Sequence, residues 1–204
     1  MNRILINNTE IFPSKVVCIG RNYTEHIAEL NNETPDEPVF FFKPNSAISS
    51  EMIFPKGNEN CHYEAEISFI IEENKISAVG FGLDLTLREV QSKLKKKGLP
   101  WERAKCFHNS AVFSDFVSFN EDTSDLEVEL YINGELKQKG GVSLMITKPK
   151  EIIEELLTFS SFEDGDILMS GTPKGVGQFA IGDIFVGKIL YKDKVIVEKS
   201  FKVH

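Results

Sequence analysis

Two glutamates in one short segment are the first residues whose types and spacing suggest chemistry. The segment Cys61 to Ile71 reads C-H-Y-E-A-E-I-S-F-I-I, which is typical of a strand that runs into an apolar core. Successive side chains of a strand point to opposite faces, so Glu64 and Glu66 share one face, roughly 6.5–7 Å apart. A hard divalent cation between them would remove their repulsion, since Mg²⁺ and Ca²⁺ prefer carboxylate oxygens. The alternative is an edge strand with a solvated acidic face.

A third carboxylate follows at the end of the next predicted strand. The apolar run at residues 76–83 returns the chain, and Asp84 comes directly after it. Three carboxylates with waters are a common arrangement for Mg²⁺ or Mn²⁺, which keep positions open for substrate oxygens. His62 shares the face of the two glutamates. We interpret it as a supporting or structural group, because three carboxylates already satisfy a hard cation.

Other side chains could move protons or stabilise negative charge. His26 and Glu29 lie three residues apart on a helix predicted over Thr24 to Leu30, so the carboxylate can orient the imidazole, which can activate a water. A surface ion pair is the alternative. Lys105 follows Trp101 in a predicted loop with apolar flanks and could stabilise developing negative charge. Its alternative is a solvated lysine.

A glycine-rich segment and three cysteines are the remaining features with possible chemistry. Residues 170–177 read S-G-T-P-K-G-V-G, which fails the phosphate-loop pattern G-x-x-x-x-G-K-[ST] because Lys174 stands in the middle. Its backbone N–H groups could still bind a carboxylate, and a plain turn is the alternative. Cys106 has no evident histidine partner, so we discount a thiolate nucleophile. The three cysteines form no C-x-x-C pair, so neither a disulfide framework nor a zinc ribbon fits.

The elements that must position these groups are mostly strands. Residues 1–13 suggest a strand at a sheet edge, and Asn133-Gly134 strongly predicts a hairpin. A second hairpin is predicted about Lys192-Asp193. We find no β-α-β alternation, so we expect one mostly-β domain over residues 1–204, a barrel, roll or sandwich with peripheral helices. The other strand runs are residues 15–19, 39–42, 48–54, 111–119, 126–132, 135–139, 166–169, 184–190 and 195–201.

Helical patterns are short. Thr86 and Glu89 form a T-x-x-E capping box for a helix over about residues 87–97, on which Arg88 and Gln91 can face the same way as Asp84. Its basic run at residues 93–97 is interpreted as a solvated face. A third helix is predicted at residues 151–159, after Pro149. The polar, proline-bounded loop at residues 31–38 beside the first helix predicts a lid at about residues 21–38.

Composition excludes several classes of function. The 204 residues are 41% hydrophobic and 26% charged, with a formal net charge of -8, and no basic stripe predicts nucleic-acid binding. No apolar run approaches the ~18 residues of a membrane span, and the first residues show no signal-peptide pattern. We therefore expect a cytoplasmic protein in a reducing compartment.

Taken together and in order, the motifs resemble the fumarylacetoacetate hydrolase family, specifically its small single-domain members with acylpyruvase or oxaloacetate decarboxylase activity. Any one motif alone is weak, but the set covers most of the chain. The matching stretches are G-R-N-Y-T-E-H-I-A-E-L at 20–30, P-V-F-F-F-K-P at 38–44, H-Y-E-A-E at 62–66, G-L-D-L-T-L-R-E-V-Q at 82–91, K-K-K-G-L-P-W-E-R-A-K at 95–105 and S-G-T-P-K-G-V-G at 170–177.

The resemblance implies a mixed β-roll or β-sandwich of that family's C-terminal domain type, a homodimer, and one Mg²⁺ or Mn²⁺ per subunit. It places the metal on Glu64, Glu66 and Asp84. It makes His26 and Glu29 a catalytic dyad on the lid and Lys105 the stabiliser of an oxyanion or enolate. The substrate pocket it implies is lined by Arg21, Lys43, Arg88, Gln91 and Thr172.

The reaction that the resemblance implies is cleavage of a C–C bond in a 2-oxo acid, through a metal-bound pyruvate enolate. Acylpyruvate hydrolysis and oxaloacetate decarboxylation both fit that description. Two alternatives remain open: an isomerase of 2-hydroxyhepta-2,4-diene-1,7-dioate-type intermediates of aromatic degradation, and a non-catalytic dicarboxylate-binding protein. Relatives often carry Ser in place of Cys106 and no His in place of His108, so substrate preference is open beside Lys105.

Overall fold

Strands dominate the computed structural model, which describes residues 1–30, 33, 35–57 and 60–204. The prediction of a mostly-β fold with peripheral helices is confirmed. The strands are β1 (Ile4–Ile6), β2 (Thr9–Ile11), β3 (Lys15–Gly20), β4 (Val39–Pro44), β5 (Ile48–Ser49), β6 (Cys61–Tyr63), β7 (Ala65–Glu72), β8 (Lys75–Asp84), β9 (Thr86–Leu87), β10 (Ala111–Phe113), β11 (Val117–Ser118), β12 (Leu126–Ile132), β13 (Glu135–Gly141), β14 (Asp166–Met169), β15 (Gly177–Gln178), β16 (Ile184–Tyr191) and β17 (Lys194–Lys202). The α-helices are α1 (Thr24–Glu29), α2 (Arg88–Lys96), α3 (Glu102–Lys105) and α4 (Pro149–Leu156).

The largest sheet runs in the order β4-β3-β14-β7-β8-β10-β5, with β11 also paired to β8. Its central strands are apolar at successive positions because both faces are covered. On β7, Ile67 and Phe69 belong to one core cluster, whereas Ile70 packs into a second cluster on the other face. Strand β14 lies between β3, to which it is parallel, and β7, to which it is antiparallel.

A second sheet, in the order β13-β12-β16-β17, packs against the large sheet. On β12 every second residue is buried, as expected for a sheet with one solvated face. Phe81 of β8 reaches across to this sheet, where its ring lies 6.2 Å from that of Phe201. Gly187 of β16 leaves room for the ring, since a Cβ there would stand 2.4 Å from the Phe81 side chain. The two sheets therefore interlock at Phe81.

We expect Gly187→Ala to lower the free energy of unfolding by about 1–3 kcal/mol, because the new methyl group overpacks the contact between the sheets at Phe81. Urea unfolding of the metal-free protein measures the change. Gly20→Ala is the control, since a Cβ there meets its nearest neighbour at 3.6 Å, an ordinary contact distance. Equal unfolding midpoints for Gly187→Ala and the parent protein would contradict this packing.

Several turns confirm the hairpin predictions. Asn133 and Gly134 both have positive φ values, 52° and 83°, as a type I′ turn requires, and they join β12 to β13. Lys192 and Asp193, at 49° and 63°, join β16 to β17 in the same way. The sequence signal was strongest at Asn133-Gly134, where both residue types tolerate the left-handed region.

The segment from Cys61 to Ile71, predicted as a single strand, is divided at Glu64. Strand β6 pairs with β9 and β15 in a separate three-stranded sheet, and β7 enters the large sheet. Periodicity did not reveal the break, because the alternation of side chains continues across it. The prediction of one strand was therefore wrong, although both glutamates remain on the same side of the chain.

Other elements also differ from the sequence predictions. Residues 1–13 form a β1–β2 hairpin in place of a single strand, because Asn7 and Asn8 turn with positive φ values of 47° and 69°. Ile6 of this hairpin bridges Phe116, next to β11 of the large sheet. The capping box is absent from α2, whose N-cap is Leu87. Thr86 instead belongs to β9, and Glu89 accepts a hydrogen bond from Asn60 at 2.6 Å. Smaller differences are the short β5, the α3 helix in the predicted loop, and an α4 that begins at its proline.

The predicted lid at residues 21–38 is described only in part. Its helix is α1, and its loop prediction falls partly on residues 31, 32 and 34, which lie outside the described residues. Across the part of the chain that the structure describes, none of the helices has both the length and the apolar character needed to cross a membrane.

Candidate active site

The three predicted carboxylates lie together, buried where β7 and β8 pair. The register places Ala65 opposite Leu83, and the N–H of Asp84 donates to the carbonyl of Glu64 at 2.9 Å. Cross-strand neighbours project from the same face, so Asp84 joins the side of the sheet that carries both glutamates. One carboxylate oxygen from each of Glu64, Glu66 and Asp84 lies within 4.8 Å of the others, and all three residues are at most 5% exposed.

Glu66 is held by the glycine-rich segment. The N–H of Gly171 donates to its Oε2 at 2.7 Å, and the hydroxyl of Thr172 donates to the carbonyl of Ala65 at 2.9 Å. Gly171 has φ 94°, where a side chain is strained. The carboxylate that this segment binds is thus one of the protein's own. Burial, together with the charges of Asp84 and Glu64, raises the pKa of Glu66 well above its ordinary value.

Cationic side chains balance the other two carboxylates. The ammonium of Lys105 donates to Glu64 at 2.8 Å, to Asp84 at 2.5 Å and to the Thr86 hydroxyl at 2.6 Å. Arg88 also forms an ion pair with Glu64. Burial would raise the pKa of Glu64, but the charges of Lys105 and Arg88 outweigh it and hold that pKa well below its ordinary value. Burial works to lower the pKa of Lys105, yet Asp84 and Glu64 raise it.

The donor set fits a hard divalent cation. Carboxylate oxygens are the ligands that Mg²⁺ and Mn²⁺ favour, and three buried ones converge here. Oδ1 of Asp84 lies 2.8 Å from Nζ of Lys43 but accepts no hydrogen bond from the described residues. A cation beside Glu66 would supply the positive charge that its ionised form lacks. Glu64, Glu66 and Asp84 would therefore hold the metal.

We expect Mn²⁺ affinity to increase with pH above 4.5, the ordinary pKa of a glutamate, because Glu66 must lose its proton to bind a cation. Its pKa in the metal-free protein is raised, so affinity rises about tenfold per pH unit until that pKa is passed. Calorimetry in buffers of different ionisation enthalpy measures both the affinity and the proton release. Affinity that stays constant across this window, without proton release, would contradict the assignment.

His26 and Glu29 form a contact on α1 at the edge of the same pocket. Nδ1 of His26 lies 3.1 Å from Oε2 of Glu29, and Oε1 of Glu29 accepts a hydrogen bond from the N–H of Gly175 at 3.0 Å. The carboxylate thus connects the imidazole to the glycine-rich segment. Since Glu29 occupies Nδ1, Nε2 is the ring nitrogen left for chemistry.

The structure gathers most predicted site residues around one pocket. Two of them lie behind it: Glu29 contacts the far side of His26, and Lys43 is fully buried beside Asp84. The Lys43 ammonium donates to the carbonyl of Ser110 at 2.9 Å and contacts Asp84 from behind, so Lys43 itself does not line the pocket. The predicted residues that do line the pocket are Arg21, His26, Glu64, Glu66, Asp84, Arg88, Gln91, Lys105 and Thr172.

Sequence reasoning missed other residues of the site. Lys95 lines the pocket and is half-buried, so the prediction of a solvated basic run fails there. Lys95 lies seven residues after Arg88 and four after Gln91, and this spacing could have indicated that it shares their face of the helix. Gln138 of β13 donates to Thr172 at 2.9 Å and accepts from the N–H of Ala65 at 2.9 Å, and nothing in the sequence marked it.

Cys106 and His108, the two residues near Lys105 that left the substrate preference open, have clear positions in the structure. The thiol of Cys106 donates to the carbonyl of Phe42 at 3.0 Å, and burial raises its pKa, which fits the decision to discount a thiolate. His108 is exposed. His62 lies outside the carboxylate cluster, and burial and the charge of Arg88 lower its pKa.

The fold and this pocket define an enzyme of a known family. A sequence model described as fumarylacetoacetate (FAA) hydrolase C-terminal matches residues 15–199. The chain therefore belongs to the fumarylacetoacetate hydrolase family. A relative from Escherichia coli (strain K12), named oxaloacetate tautomerase YcgM, is 39% identical over 187 residues, which cover 83% of this chain and 85% of the relative.

Solved structures agree with this membership. The structure of a candidate fumarylacetoacetate isomerase/hydrolase from Oleispira antarctica has a TM-score of 0.94 and 33% identity, with 100% of each chain covered. That of fumarylpyruvate hydrolase from Pseudomonas aeruginosa, in complex with Mn²⁺ and pyruvate, has a TM-score of 0.89 and 27% identity. The match covers 99% of this chain and 95% of that one.

Proposed function

We propose that this protein is a divalent-metal-dependent enzyme of 2-oxo dicarboxylates whose reaction is the keto–enol interconversion of oxaloacetate. The observation that carries the proposal is the charge of the pocket. Three buried carboxylates converge within 4.8 Å, and the lining also includes four cationic side chains, those of Arg21, Arg88, Lys95 and Lys105. With a divalent cation in place, positive charge is in excess, which favours a dianionic ligand.

The metal, when bound, would supply a Lewis acid that draws electrons from the 2-oxo carbonyl and so acidifies the C3 proton. His26 would move that proton; the contact of its Nδ1 with Glu29, which leaves Nε2 for the transfer, supports this role. The Lys105 ammonium, fixed by Glu64 and Asp84, provides positive charge for the oxygen on which negative charge develops. The proton taken from C3 is balanced by protonation of that oxygen, which gives the enol.

Relatives support the choice of substrate. The Escherichia coli relative is named for oxaloacetate tautomerisation, and the Pseudomonas aeruginosa structure holds Mn²⁺ and pyruvate, a 2-oxo acid. Both relatives are named as enzymes, which gives no support to a non-catalytic dicarboxylate-binding protein.

A second candidate is the C–C bond cleavage that the sequence motifs imply, either acylpyruvate hydrolysis or oxaloacetate decarboxylation through a pyruvate enolate. The contact between His26 and Glu29 favours hydrolysis, because an imidazole oriented by a carboxylate can activate a water. Isomerisation of a 2-hydroxyhepta-2,4-diene-1,7-dioate-type diacid uses the same proton transfer and belongs with the first candidate.

The test supplies the purified protein with Mg²⁺ or Mn²⁺ and the enol form of oxaloacetate. Lactate dehydrogenase and NADH detect any pyruvate that is formed. Loss of the enol absorbance with no formation of pyruvate supports tautomerisation. Pyruvate released as fast as the enol disappears would favour decarboxylation instead, and pyruvate from acetylpyruvate would favour hydrolysis. Full activity in excess EDTA would overturn the proposed metal dependence, whichever of these reactions the protein catalyses.

The homodimer and the cytoplasmic location remain predictions from the sequence. Light scattering of the eluting protein during gel filtration tests the first directly. Fractionation of the cells that produce the protein tests the second.

A further inference from the structure

One face of α2 runs along the pocket and carries three polar side chains. Arg88, Gln91 and Lys95 occupy positions i, i+3 and i+7, which lie on the same side of a helix, and all three line the pocket. Lys93 and Lys96, on the same helix, are exposed. The basic run thus has one member that faces the site and others that face solvent.

The three side chains start at different points along α2. Arg88 is bound at the carboxylate cluster, through its ion pair with Glu64 and a 2.8 Å hydrogen bond to Gln91. Lys95 begins two helical turns farther along, a rise of about 10 Å. Its ammonium lies 5.5 Å from the ring centre of Trp101, another residue of the pocket lining. A molecule anchored at the carboxylate cluster by one end would therefore direct its other end toward Lys95.

The electrostatics of Lys95 suit an anionic partner. Burial first, and then the charges of Arg21 and Arg88, lower the pKa of Lys95 to about 8. At neutral pH the ammonium form still prevails, opposed by the charges of Arg21 and Arg88 and favoured by that of Glu64. A carboxylate placed among these groups would relieve their repulsion and form a charge-assisted hydrogen bond.

We propose that Lys95 binds the carboxylate at the far end of the substrate and makes the enzyme prefer 2-oxo dicarboxylates to 2-oxo monocarboxylates. The inference rests on the proposed function, since it takes the 2-oxo end to lie at the carboxylate cluster. It adds a specificity residue that neither the motifs nor the comparisons assign. A pocket with only Arg88 and Gln91 on this face would bind the 2-oxo end and would have no group on this face that binds the far carboxylate.

The experiment compares oxaloacetate with acetylpyruvate, which keeps the 2-oxo acid and the second carbonyl but ends in a methyl group. Exchange of the C3 protons in D₂O, followed by NMR with saturating Mg²⁺, measures both substrates by the same event. In Lys95→Gln we expect the ratio of kcat/KM for oxaloacetate to kcat/KM for acetylpyruvate to fall roughly 10- to 100-fold, mainly through KM. The exposed neighbour supplies the matched control, Lys96→Gln, in which the ratio should stay at the parent value. Lys95→Arg should recover most of the preference.

A binding measurement separates this inference from the proposed function. Oxalate is a short chelating anion, and 2-oxoglutarate has a carboxylate at its far end. With Mn²⁺ present, Lys95→Gln should raise the ratio of the 2-oxoglutarate Kd to the oxalate Kd by a similar factor. An unchanged ratio in both measurements would overturn the role of Lys95, even if the parent enzyme is active. A parent protein that turns over neither substrate would overturn the proposed function, while a changed Kd ratio would still support Lys95 as the carboxylate-binding residue.

Discussion

Glu66→Gln should lower kcat/KM at least about 100-fold while making the metal-free protein more stable than its parent. Activity falls because one of the three oxygen donors loses its charge. Stability rises by about 1–3 kcal/mol because the variant no longer buries a carboxylate beside Asp84 and Glu64. The amide oxygen can still accept the hydrogen bond from the N–H of Gly171. Urea unfolding in EDTA and turnover with Mn²⁺ give the two quantities.

The matched control is Glu64→Gln, for which the stability effect has the opposite sign. Glu64 is paired with Lys105 and Arg88, which depress its pKa. Its contribution is therefore present above the ordinary glutamate pKa and is lost as pH falls through the depressed one. Glu66 has a raised pKa, so the penalty that Glu66→Gln removes builds as pH rises above the ordinary glutamate pKa and is complete above the raised one. Equal stability changes in the two variants would show that the pocket does not distinguish these carboxylates.

Lys105→Met should lower kcat about 100- to 1,000-fold and destabilise the metal-free protein by about 3–5 kcal/mol. The stability loss follows because Glu64 and Asp84 would remain buried without the ammonium that contacts both. Mn²⁺ should restore much of the melting temperature, since a divalent cation supplies positive charge to the same oxygens. It should not restore kcat, because the charge for the developing oxyanion is still missing.

Lys43→Met separates these two roles of a buried lysine. Lys43 also forms an ion pair with Asp84, at 2.8 Å, but it does not line the pocket. This variant should lose stability and keep a larger share of kcat than Lys105→Met. Recovery of full turnover by Lys105→Met in saturating Mn²⁺ would reduce Lys105 to a counter-ion.

The predictions that succeeded depend on short-range geometry. Side chains alternate between the two faces of a strand, which placed Glu64 and Glu66 on the same face. The length of the following hairpin brought Asp84 beside them. The i,i+3 spacing of His26 and Glu29 gave their contact in the same way. In each case the information lies within about twenty residues of chain, where the periods of helix and strand determine which side chains meet.

What the sequence could not give is mostly long-range. The hydrogen bond from the N–H of Gly171 to Glu66 joins residues 105 apart, and that from the N–H of Ala65 to Gln138 joins residues 73 apart. No local pattern specifies such partners. Lys95 is a different case. Its spacing from Arg88 and Gln91 could be seen in the sequence, but the lysines around it favoured the interpretation as a solvated face.

The position of β14 has a consequence for how the molecule folds. The strand lies in the interior of the large sheet, between β3 and β7, yet it is synthesised after four-fifths of the chain. Until residues 166–169 arrive, β3 and β4 have no neighbour that joins them to β7, and Gly171 cannot reach Glu66. Contacts of such high sequence separation must overcome a large loop-closure entropy, which makes folding slow. The pocket is therefore completed late, and a nascent or truncated chain that stops before residue 166 would expose the apolar edges of two unconnected parts of the sheet.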